Sequence, residues 1–515
     1  MGSFDIPRPL IPDLIAQYGH WQAQKRAVIQ GQRECTWREL DRATNRVANG
    51  LGALGVGPGA RIAVLMANSI EMVELMFGAG KAAVSAVPLN CSVNDAAVAA
   101  MIADSGACAV AASGEHCERI DRLIADGKLP ASLTRIGVET SRPGWRNYER
   151  FRDEHRALPP AVRVQDDTEC NIIYSSGTTG MPKGIVHSHR CRVNWANDLA
   201  IALRYHSGAI TLCSLGLYSN ISWVSMLATI LVGGTLVIMR EFSPDGVFER
   251  VERHRISHAS FVPVQLQRML EAAGVDRHEL SSLETIMCCG SPLPPAVKRG
   301  IRDRLGCDLI ELYGLTEGII TTLAPEDFDS RLESVGKPIP GQQLRIIGND
   351  DREVSSGEQG EVVGYGRLVM EGYHNRPEAT AEATWVDPAG LRWLRTGDIG
   401  RLDEEGFLYI VDRKKDMILS GGQNIYPADI EAIVREHPAV QEVAVIGVPS
   451  EKWGETPLAV VVPKVRVTPE ELVAFTNERV GRQQRISGVV FREALPRNAN
   501  GKILKRELRR ELSGR

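Results

Sequence analysis

The stretch Tyr174–Gly184 holds the densest group of residues that could bind an anion. Its sequence, YSSGTTGMPKG, places four serine or threonine residues, three glycines and one lysine in eleven positions. Glycine lets backbone amides approach an anion closely, while hydroxyl groups and lysine add donors and positive charge. The stretch therefore predicts a phosphate-binding loop. A flexible surface turn is the alternative, because glycine and hydroxyl residues are also common in turns.

The spacing within this stretch excludes the Walker P-loop. That loop requires a glycine, any four residues, and then Gly-Lys followed by serine or threonine. Here the residues after Gly180 are Met-Pro-Lys-Gly, so the pattern fails. The predicted phosphate loop must belong to another class of nucleotide-binding protein.

Five later segments complete a set of motifs with this loop. They are CGSPLP (Cys289–Pro294), ELYGLTEG (Glu311–Gly318), WLRTGDIG (Trp393–Gly400), DRKKDMILSGGQNIYPADIE (Asp412–Glu431) and LPRNANGKILKREL (Leu495–Leu508). In this order the six segments resemble the signatures of the adenylate-forming superfamily, which includes acyl- and aryl-CoA synthetases, luciferases and nonribosomal-peptide adenylation domains. The resemblance extends over essentially the whole chain, and six motifs in the correct order make chance negligible.

The resemblance implies nucleotide-binding roles for residues in five of the six segments. It places Tyr313 against adenine, Thr316 at the α-phosphate and Glu317 at magnesium, and it places the Asp398 carboxylate and Arg413 at the ribose. The implied ATP- or AMP-binding residues are Ser175, Ser176, Gly177, Thr178, Thr179, Gly180, Gly290, Ser291, Pro292, Glu311, Leu312, Tyr313, Gly314, Asp398 and Arg413.

The resemblance also implies catalytic and conformational roles. Lys502 stands where the family has its adenylation lysine, Lys415 stands at the hinge, and Gly421 and Gly422 line the passage for coenzyme A. The implied catalytic residues are Lys183, Thr316, Glu317 and Lys502, with Glu317 as the metal ligand. Taken singly, four of the site residues have ordinary structural explanations. Asp398 could simply form a turn, and Lys502 could be a solvated lysine on a tight turn. Arg413 and Lys415 could be charged residues of a linker. The ordered set favours the functional roles.

The predicted acyl pocket departs from the family pattern. Many relatives carry a histidine in a P-x-x-H segment, whereas the corresponding stretch here, SLGLYSNISW (Ser214–Trp223), has none, and Tyr218 stands in that place. Tyrosine can donate one hydrogen bond but cannot carry positive charge. The predicted pocket residues contain no acidic group to meet an amino group, which favours a hydrophobic acyl or aryl acid. They are Tyr218, Asn220, Val262, Pro263 and the turn at Gly290–Ser291.

The paired histidines His187 and His189 offer an alternative metal or general-base site. Carboxylates are already ionised nucleophiles at neutral pH, so the predicted chemistry requires no histidine base. Packing is therefore the favoured role for both side chains.

The implied activity is that of an AMP-forming carboxylic acid–CoA ligase, an acid–thiol ligase. A carboxylate attacks the α-phosphorus of ATP to give an acyl-adenylate and pyrophosphate, and the thiol of CoA then displaces AMP. Both first reactants are anionic, so the protein must chiefly neutralise charge and align the attack. The implied partners are a small-molecule carboxylic acid, ATP, Mg²⁺ and CoA. Neither nucleic acid nor a membrane span is expected, and a homodimer is left open.

Two alternatives remain at this point. An acyl-AMP ligase would load the phosphopantetheine of a carrier protein, although no carrier domain follows the last motif, which favours free CoA. A non-catalytic nucleotide-binding regulator is opposed by the joint presence of Lys502, Glu317 and Asp398. Nothing in the sequence indicates a luciferase-like oxygenase.

The elements that must position these residues alternate between helices and short apolar strands. Thr36–Val56 predicts a helix with a threonine cap, and Arg61–Asn68 predicts a buried parallel strand. Repetition of this pattern indicates an α/β fold with large, mostly parallel sheets. After Gly318, short strand-like pieces separated by glycine turns predict a small antiparallel barrel. The chain returns to α/β after Asp412–Asp416.

These elements predict an α/β architecture with two principal domains. Residues 1–412 form the N-terminal ATP- and acyl-binding domain, with two parallel-rich α/β subdomains and a β-barrel near 331–411. Residues 413–416 form a hinge, and residues 417–515 form a small mobile α+β C-terminal domain.

Composition supports an ordinary globular enzyme in a reducing compartment. The 515 residues carry a net charge of −4, which argues against a nucleic-acid surface. The ten cysteines include no C-x-x-C pair and indicate free thiols. The N-terminus lacks the apolar core of a signal peptide, and the apolar run Val224–Met239 is too short for a membrane span. The sequence thus predicts a cytoplasmic protein.

Overall fold

The computed structural model describes residues 9–175, 182–420, 423–497 and 501–512. The chain divides into two compact units. Unit 1 comprises the residues up to Leu332 together with Pro338–Gln342 and Tyr365–Ala383. Unit 2 comprises Glu333–Lys337, Gln343–Gly364 and the residues from Thr384 onward. The predicted domain division at residues 412–416 stays a prediction.

The described residues form helices and strands in alternation. The helices are α1 (Ile11–Trp21), α2 (Trp37–Ala53), α3 (Ile70–Lys81), α4 (Asp95–Ser105), α5 (Gly114–Ala125), α6 (Tyr148–Asp153), α7 (His189–Ala202), α8 (Asn220–Leu231), α9 (Pro244–His254), α10 (Pro263–Glu271), α11 (Pro295–Leu305), α12 (Pro377–Glu382), α13 (Pro427–Arg435), α14 (Pro469–Asn477) and α15 (Lys505–Leu512). The strands are β1 (Arg26–Gln30), β2 (Arg33–Thr36), β3 (Arg61–Leu65), β4 (Ser85–Pro88), β5 (Ala109–Ser113), β6 (Thr134–Val138), β7 (Arg146–Asn147), β8 (Glu169–Tyr174), β9 (Gly184–Ser188), β10 (Ile210–Cys213), β11 (Thr235–Ile238), β12 (His258–Phe261), β13 (Thr285–Cys288), β14 (Asp308–Gly314), β15 (Ile320–Leu323), β16 (Lys337–Pro338), β17 (Gln342–Ile347), β18 (Gly360–Gly366), β19 (Gly372–Tyr373), β20 (Thr384–Val386), β21 (Arg392–Leu402), β22 (Leu408–Arg413), β23 (Ile418–Ser420), β24 (Gln423–Ile425), β25 (Val440–Ser450), β26 (Gly454–Pro463) and β27 (Val489–Phe491).

Unit 1 is built on two parallel-rich sheets, which confirms the predicted α/β class. One has the strand order β19-β9-β8-β4-β3-β5-β6-β7, and its strands from β8 to β7 pair in parallel. The other has the order β16-β15-β14-β13-β12-β10-β11-β1-β2, with parallel pairing from β14 to β1. The short β16 lies where the chain crosses between the units.

The second sheet of unit 1 explains how distant motifs meet. Strands β10, β12, β13 and β14 are parallel neighbours, so their carboxyl ends lie at one edge of the sheet. Ligands of open α/β sheets bind outside these carboxyl ends. The segments that begin at this edge are Ser214–Trp223, Val262–Pro263, Cys289–Pro294 and Leu315–Gly318.

Local sequence signals account for the elements that carry these segments. The Thr36 hydroxyl accepts a hydrogen bond from the Glu39 amide and caps α2, as its sequence predicts. Strand β3 is buried along nearly its whole length between β4 and β5, as expected for a continuous apolar run. The apolar run Val224–Met239 divides into the end of α8 and strand β11, and Gly233 lies between them with a φ of 63°.

Unit 2 contains an antiparallel sheet and a separate α+β layer. The first sheet has the order β17-β18-β21-β20, and β22 pairs with β21. The second has the order β24-β23-β26-β25, and β27 pairs with β26. Alternate residues of β25 and β26 face α13 and α14 on one side and α15 on the other. This period-2 burial is that of a central strand pair covered on both faces.

Within the described residues, no helix combines the length and apolar character needed to cross a bilayer. All ten cysteines are free thiols, as predicted, and eight of them are buried.

Candidate active site

The predicted phosphate loop joins two antiparallel strands. Strands β8 and β9 pair with Tyr174 opposite Gly184, and the Ser175 amide donates to the Lys183 carbonyl at 3.1 Å. The Tyr174 hydroxyl donates to the Asp104 carboxylate at 2.8 Å, and Arg376 pairs with the same carboxylate at 2.8 Å. The base of the loop is therefore held firmly. Its predicted members Ser176, Gly177, Thr178, Thr179 and Gly180 lie outside the described residues.

A tyrosine that the sequence does not single out links two predicted catalytic residues. The ammonium group of Lys183 lies 4.6 Å from the centroid of the Tyr373 ring. The Tyr373 hydroxyl donates to Oε1 of Glu317 at 2.8 Å. Pairing of β19 with β9 places Tyr373 opposite Ile185 and so beside the loop. No local signal identifies Tyr373, because only strand pairing brings these three residues together.

The segment after β14 makes a tight turn that presents Thr316 and Glu317. The amide of Gly318 donates to the Leu315 carbonyl at 3.0 Å, and Gly318 has a φ of 114°. A Cβ atom at Gly318 would lie 2.0 Å from the Leu368 carbonyl oxygen, so only glycine fits. The turn thereby fixes the two residues before it, and both are half-buried.

A buried histidine supports this turn from behind. Nε2 of His187 lies 2.8 Å from the carbonyl oxygen of Thr316. Burial lowers the pKa of His187 well below its usual range, and the positive charge of Arg192 adds to this effect. The imidazole is therefore neutral at physiological pH, and its Nε2–H donates to Thr316. His189 is also buried, and burial lowers its pKa to about 4.

The predicted adenine segment divides between core and surface. The Glu311 carboxylate is buried in an ion pair with Lys298, and Leu312 is also buried. Tyr313 is half-buried and Gly314 is exposed. The side chain of Glu311 is thus paired with Lys298 in the core, so only the backbone of Glu311 could contact a nucleotide.

The turn after β13 lies on the neighbouring strand. Cys288 is in register with Glu311, so Gly290, Ser291 and Pro292 follow directly beside the predicted adenine segment. Gly290 has a φ of 105°, a left-handed conformation that favours glycine. The structure therefore brings these two of the predicted nucleotide segments of unit 1 together.

The predicted acyl-pocket residues lie at the same sheet edge. The Tyr218 ring packs over Gly216, where a Cβ atom would come within 2.1 Å of it. Burial raises the pKa of Tyr218 to about 12, so the phenol is neutral. Asn220 is the first residue of α8. Val262 and Pro263 are buried at the start of α10.

Unit 2 brings its predicted site residues together around one ion pair. Asp398 and Arg413 are opposite each other on β21 and β22, and Oδ1 of Asp398 lies 2.6 Å from Nε of Arg413. Burial lowers the pKa of Lys502 to about 8; the charges of Arg413 and Lys415 contribute, while Asp398 and Asp416 oppose the shift. Lys502 therefore lies within electrostatic range of all four groups. Gly421 and Gly422, the predicted CoA-passage residues, lie outside the described residues.

The comparisons with known proteins cover nearly the whole chain. The family model described as AMP-binding enzyme matches residues 16–374, and the model described as AMP-binding enzyme C-terminal domain matches residues 429–502. The chain is 34% identical over 511 residues to the long-chain-fatty-acid–CoA ligase FadD13 of Mycobacterium tuberculosis (strain CDC 1551 / Oshkosh), covering 96% of this chain and 98% of the relative. It is 32% identical over 496 residues to the fatty acid–[acyl-carrier-protein] ligase ScoC of Streptomyces coeruleorubidus, covering 94% and 92%.

A solved structure shares the fold over the same extent. It is the o-succinylbenzoate CoA synthetase (MenE) from Bacillus subtilis in complex with the acyl-adenylate intermediate OSB-AMP. The TM-score is 0.85 at 29% identity, with 96% of this chain and 98% of that chain covered.

Proposed function

The chain belongs to the AMP-binding enzyme family and is an AMP-forming acid–thiol ligase, and from this premise we propose that it joins a hydrophobic acyl or aryl acid to CoA. In the first half-reaction a carboxylate oxygen attacks the α-phosphorus of ATP, and the bond to the bridging oxygen of pyrophosphate breaks. In the second half-reaction the CoA thiolate attacks the carbonyl carbon of the acyl-adenylate, and the bond to the AMP oxygen breaks.

The arrangement of Lys183, Tyr373 and Glu317 carries the proposal for the first half-reaction. A cation and a carboxylate are held on one tyrosine, by a 4.6 Å cation–π contact and a 2.8 Å hydrogen bond. A triphosphate needs positive charge at its leaving end, and a carboxylate can hold the accompanying metal ion. In this proposal Thr316, which precedes Glu317, donates to the α-phosphate.

The carboxylate oxygen atoms of Glu317 are suitable ligands for a magnesium ion. Oε1 of Glu317 accepts from Tyr373, which leaves Oε2 as the candidate ligand. Magnesium prefers oxygen ligands and is commonly held by one or two carboxylates together with substrate phosphates. When bound, the ion neutralises phosphate charge. The chain itself supplies Lys183 for the leaving pyrophosphate and Lys502 for the charge that develops on the α-phosphate.

The proposed class of acid follows from the pocket residues. Tyr218 is neutral and half-buried, and Trp223 and Val262 are buried apolar neighbours of the same sheet edge. None of the predicted pocket residues is acidic, so a substrate ammonium group has no carboxylate partner among them. A carrier-protein thiol is the alternative acceptor, which the name of ScoC indicates for that relative.

The function is tested in two stages with the same panel of carboxylic acids. ATP–pyrophosphate exchange with CoA omitted identifies the acids that form an adenylate. We expect exchange with fatty or aromatic acids and none with amino acids, and then thioester formation when CoA is added. Exchange without CoA-thioester, together with acylation of a phosphopantetheinylated carrier protein, would establish the alternative. If no acid supports exchange, the ligase proposal fails.

Tyr373→Phe tests the link between the loop lysine and the metal-binding carboxylate. The variant keeps the ring beneath Lys183 and removes only the hydrogen bond to Glu317. A hydrogen bond to a charged group contributes about 1.5–3 kcal/mol, so we expect the magnesium concentration at half-maximal exchange to rise about 10-fold or more. Tyr373→Leu also removes the cation–π contact and should lower the exchange rate further. Tyr365→Phe, at an exposed tyrosine of the same unit, is the matched control.

The low pKa of Lys502 predicts a pH dependence of adenylate formation. The cationic form is required, and it is lost as the pH rises through about 8. We expect kcat/KM for ATP in the exchange reaction to fall about tenfold per pH unit above that value. Lys502→Arg keeps its charge at higher pH, so its lower activity should lack this decline. A wild-type profile that stays flat through the same range would contradict the assignment.

A further inference from the structure

A fully buried guanidinium lies beside the predicted acyl pocket. Arg192 of α7 has 0% of its surface exposed. Its Nε donates to Oδ1 of Asn171 at 2.8 Å, and its Nη1 donates to Oδ1 of Asn220 at 3.0 Å. The guanidinium also lies over the rings of Trp195 and Trp223, at 5.2 and 5.0 Å from their centroids. Two amide oxygens and two aromatic faces thus surround this cation.

Arg192 differs from the other strongly buried cations of unit 1. Lys81 pairs with the Asp41 carboxylate at 2.5 Å, and Lys298 pairs with the Glu311 carboxylate. Within the described part of the chain, no carboxylate pairs with Arg192, and its Nη2 has no hydrogen-bond partner. Burial lowers its pKa to about 10, so it stays charged at neutral pH. A buried charge without an opposite charge is costly, and such groups cluster at functional sites.

Several buried polar atoms around Arg192 have no hydrogen-bond partner among the described residues, and Nδ1 of the neutral His187 is an acceptor of this kind. Nδ2 of Asn171 and Nε1 of Trp223 are also buried without a hydrogen-bond partner among the described residues. Both of these nitrogen atoms can donate a hydrogen bond but cannot accept one. The cluster therefore presents a positive potential, and no carboxylate among the described residues pairs with Arg192 to offset it.

Arg192 is linked to the predicted acyl pocket and to the predicted α-phosphate residue of the proposed first half-reaction. On one side it contacts Asn220, two residues after Tyr218 in the predicted acyl pocket. On the other side its charge acts on His187, whose Nε2 bonds to the carbonyl of Thr316, the predicted α-phosphate residue. A carboxylate about to attack the α-phosphorus must lie between these two sides.

The bond from Arg192 also fixes the orientation of the Asn220 amide. Arginine can only donate, so it holds Oδ1 of Asn220 towards itself and leaves the two N–H groups of that half-buried amide facing away. A neighbouring cation polarises the amide and strengthens its N–H groups as donors. The first turn of α8, which begins at Asn220, adds the positive end of a helix dipole.

We propose that Arg192 is a positioning residue that orients and polarises Asn220, whose amide N–H groups receive the reacting carboxylate of the acid substrate. This inference rests on the proposed function and names the residues that hold its acid. It also explains how an acid can be held when Tyr218 and its neighbours offer no cation inside the pocket. The positive charge comes from a side chain that the substrate does not touch.

The test uses ATP–pyrophosphate exchange with an acid that the wild-type enzyme accepts. The KM for the acid and the KM for ATP are measured separately for Arg192→Met, Arg192→Lys, Asn220→Ala and the double variant Arg192→Met/Asn220→Ala. Loss of a hydrogen bond to an ion should raise the KM for the acid about 10- to 100-fold in Asn220→Ala and in Arg192→Met. The KM for ATP should stay close to that of the wild type. The double variant should be no worse than either single variant, because both remove one interaction.

Controls separate this role from a structural one. Arg192→Lys keeps a buried charge and should recover part of the acid affinity that Arg192→Met loses. Asn197→Ala, at an exposed asparagine of the same helix, should leave both KM values unchanged. If Arg192→Met does not fold, the KM for the acid in Asn220→Ala decides the outcome. Asn220 is half-buried at the start of α8, so its truncation should leave the fold intact.

The outcomes also separate this inference from the proposed function. An unchanged KM for the acid in Asn220→Ala would overturn the inference, as would equal increases in both KM values or additive losses in the double variant. In each of these cases the wild-type enzyme would still catalyse exchange. If the wild-type enzyme catalyses exchange with no acid, it is the proposed function that fails.

Discussion

Lys502→Ala is expected to lower the rate of acyl-adenylate formation about 100- to 1000-fold, the usual effect of removing one positioned electrostatic stabiliser. The attacking carboxylate and the α-phosphate are both anionic, so charge accumulates at phosphorus as the bond forms. A lysine cation at this point offsets that charge. In the second half-reaction the thiolate attacks the acyl carbonyl carbon and AMP leaves. No new bond forms at phosphorus, so this step has no comparable need for the lysine cation. Thioester formation from a supplied acyl-adenylate should therefore be largely spared.

Two measurements on one variant make this prediction decisive. ATP–pyrophosphate exchange reports the first half-reaction, and CoA-thioester formation from synthetic acyl-adenylate reports the second. Lys464→Ala, at an exposed lysine of the same unit, should leave both rates unchanged. An equal loss in both half-reactions would show that Lys502 is not specific to adenylation.

Glu317→Gln should lower the exchange rate about 100-fold and raise the magnesium requirement, because an amide keeps the size of the side chain but loses the charge that holds a metal ion. The Tyr373 hydroxyl can still donate to the amide oxygen, so the local packing should survive. The measurement is exchange rate against magnesium concentration at a fixed ATP concentration.

Another glutamate of unit 1 serves as the control for this change. Glu371→Gln keeps an oxygen that can accept from the Ser188 hydroxyl, which lies 2.6 Å from Oε1 of Glu371. It should change neither the exchange rate nor the magnesium requirement. A Glu317→Gln enzyme with wild-type magnesium dependence would remove Glu317 from the metal site.

The chemistry-bearing segments could be predicted from the sequence because each is local. A phosphate loop, a turn that requires glycine or a capped helix is specified by a few neighbouring residues, as Gly318 and Thr36 show. The buried strands were predictable from similarly local signals, since the length of a short apolar run and the turn residues at its ends favour a strand over a helix. The order of the motifs then identified the family, and the fold followed from it.

The partners of those segments were decided by the tertiary structure alone. Tyr373 meets Lys183 and Glu317 only because β19 pairs with β9. Glu311, predicted to meet the nucleotide, has its carboxylate turned into the core against Lys298, since β14 and α11 pack there. Strand pairing joins residues far apart in the chain, and no local pattern records which strands pair.

Arg192 shows most clearly the difference between what the sequence predicts and what the tertiary structure decides. Its sequence position in a helix with asparagine and tryptophan neighbours is compatible with an exposed cation, and nothing in the spacing marks it. Burial between Trp195 and Trp223 decides that its charge meets no solvent, and the approach of α8 decides that Asn220 accepts its hydrogen bond. The sequence thus determined which reaction the protein's motifs serve. The packing of helices on sheets determined which charges are buried beside them, because burial depends on every element that surrounds a residue.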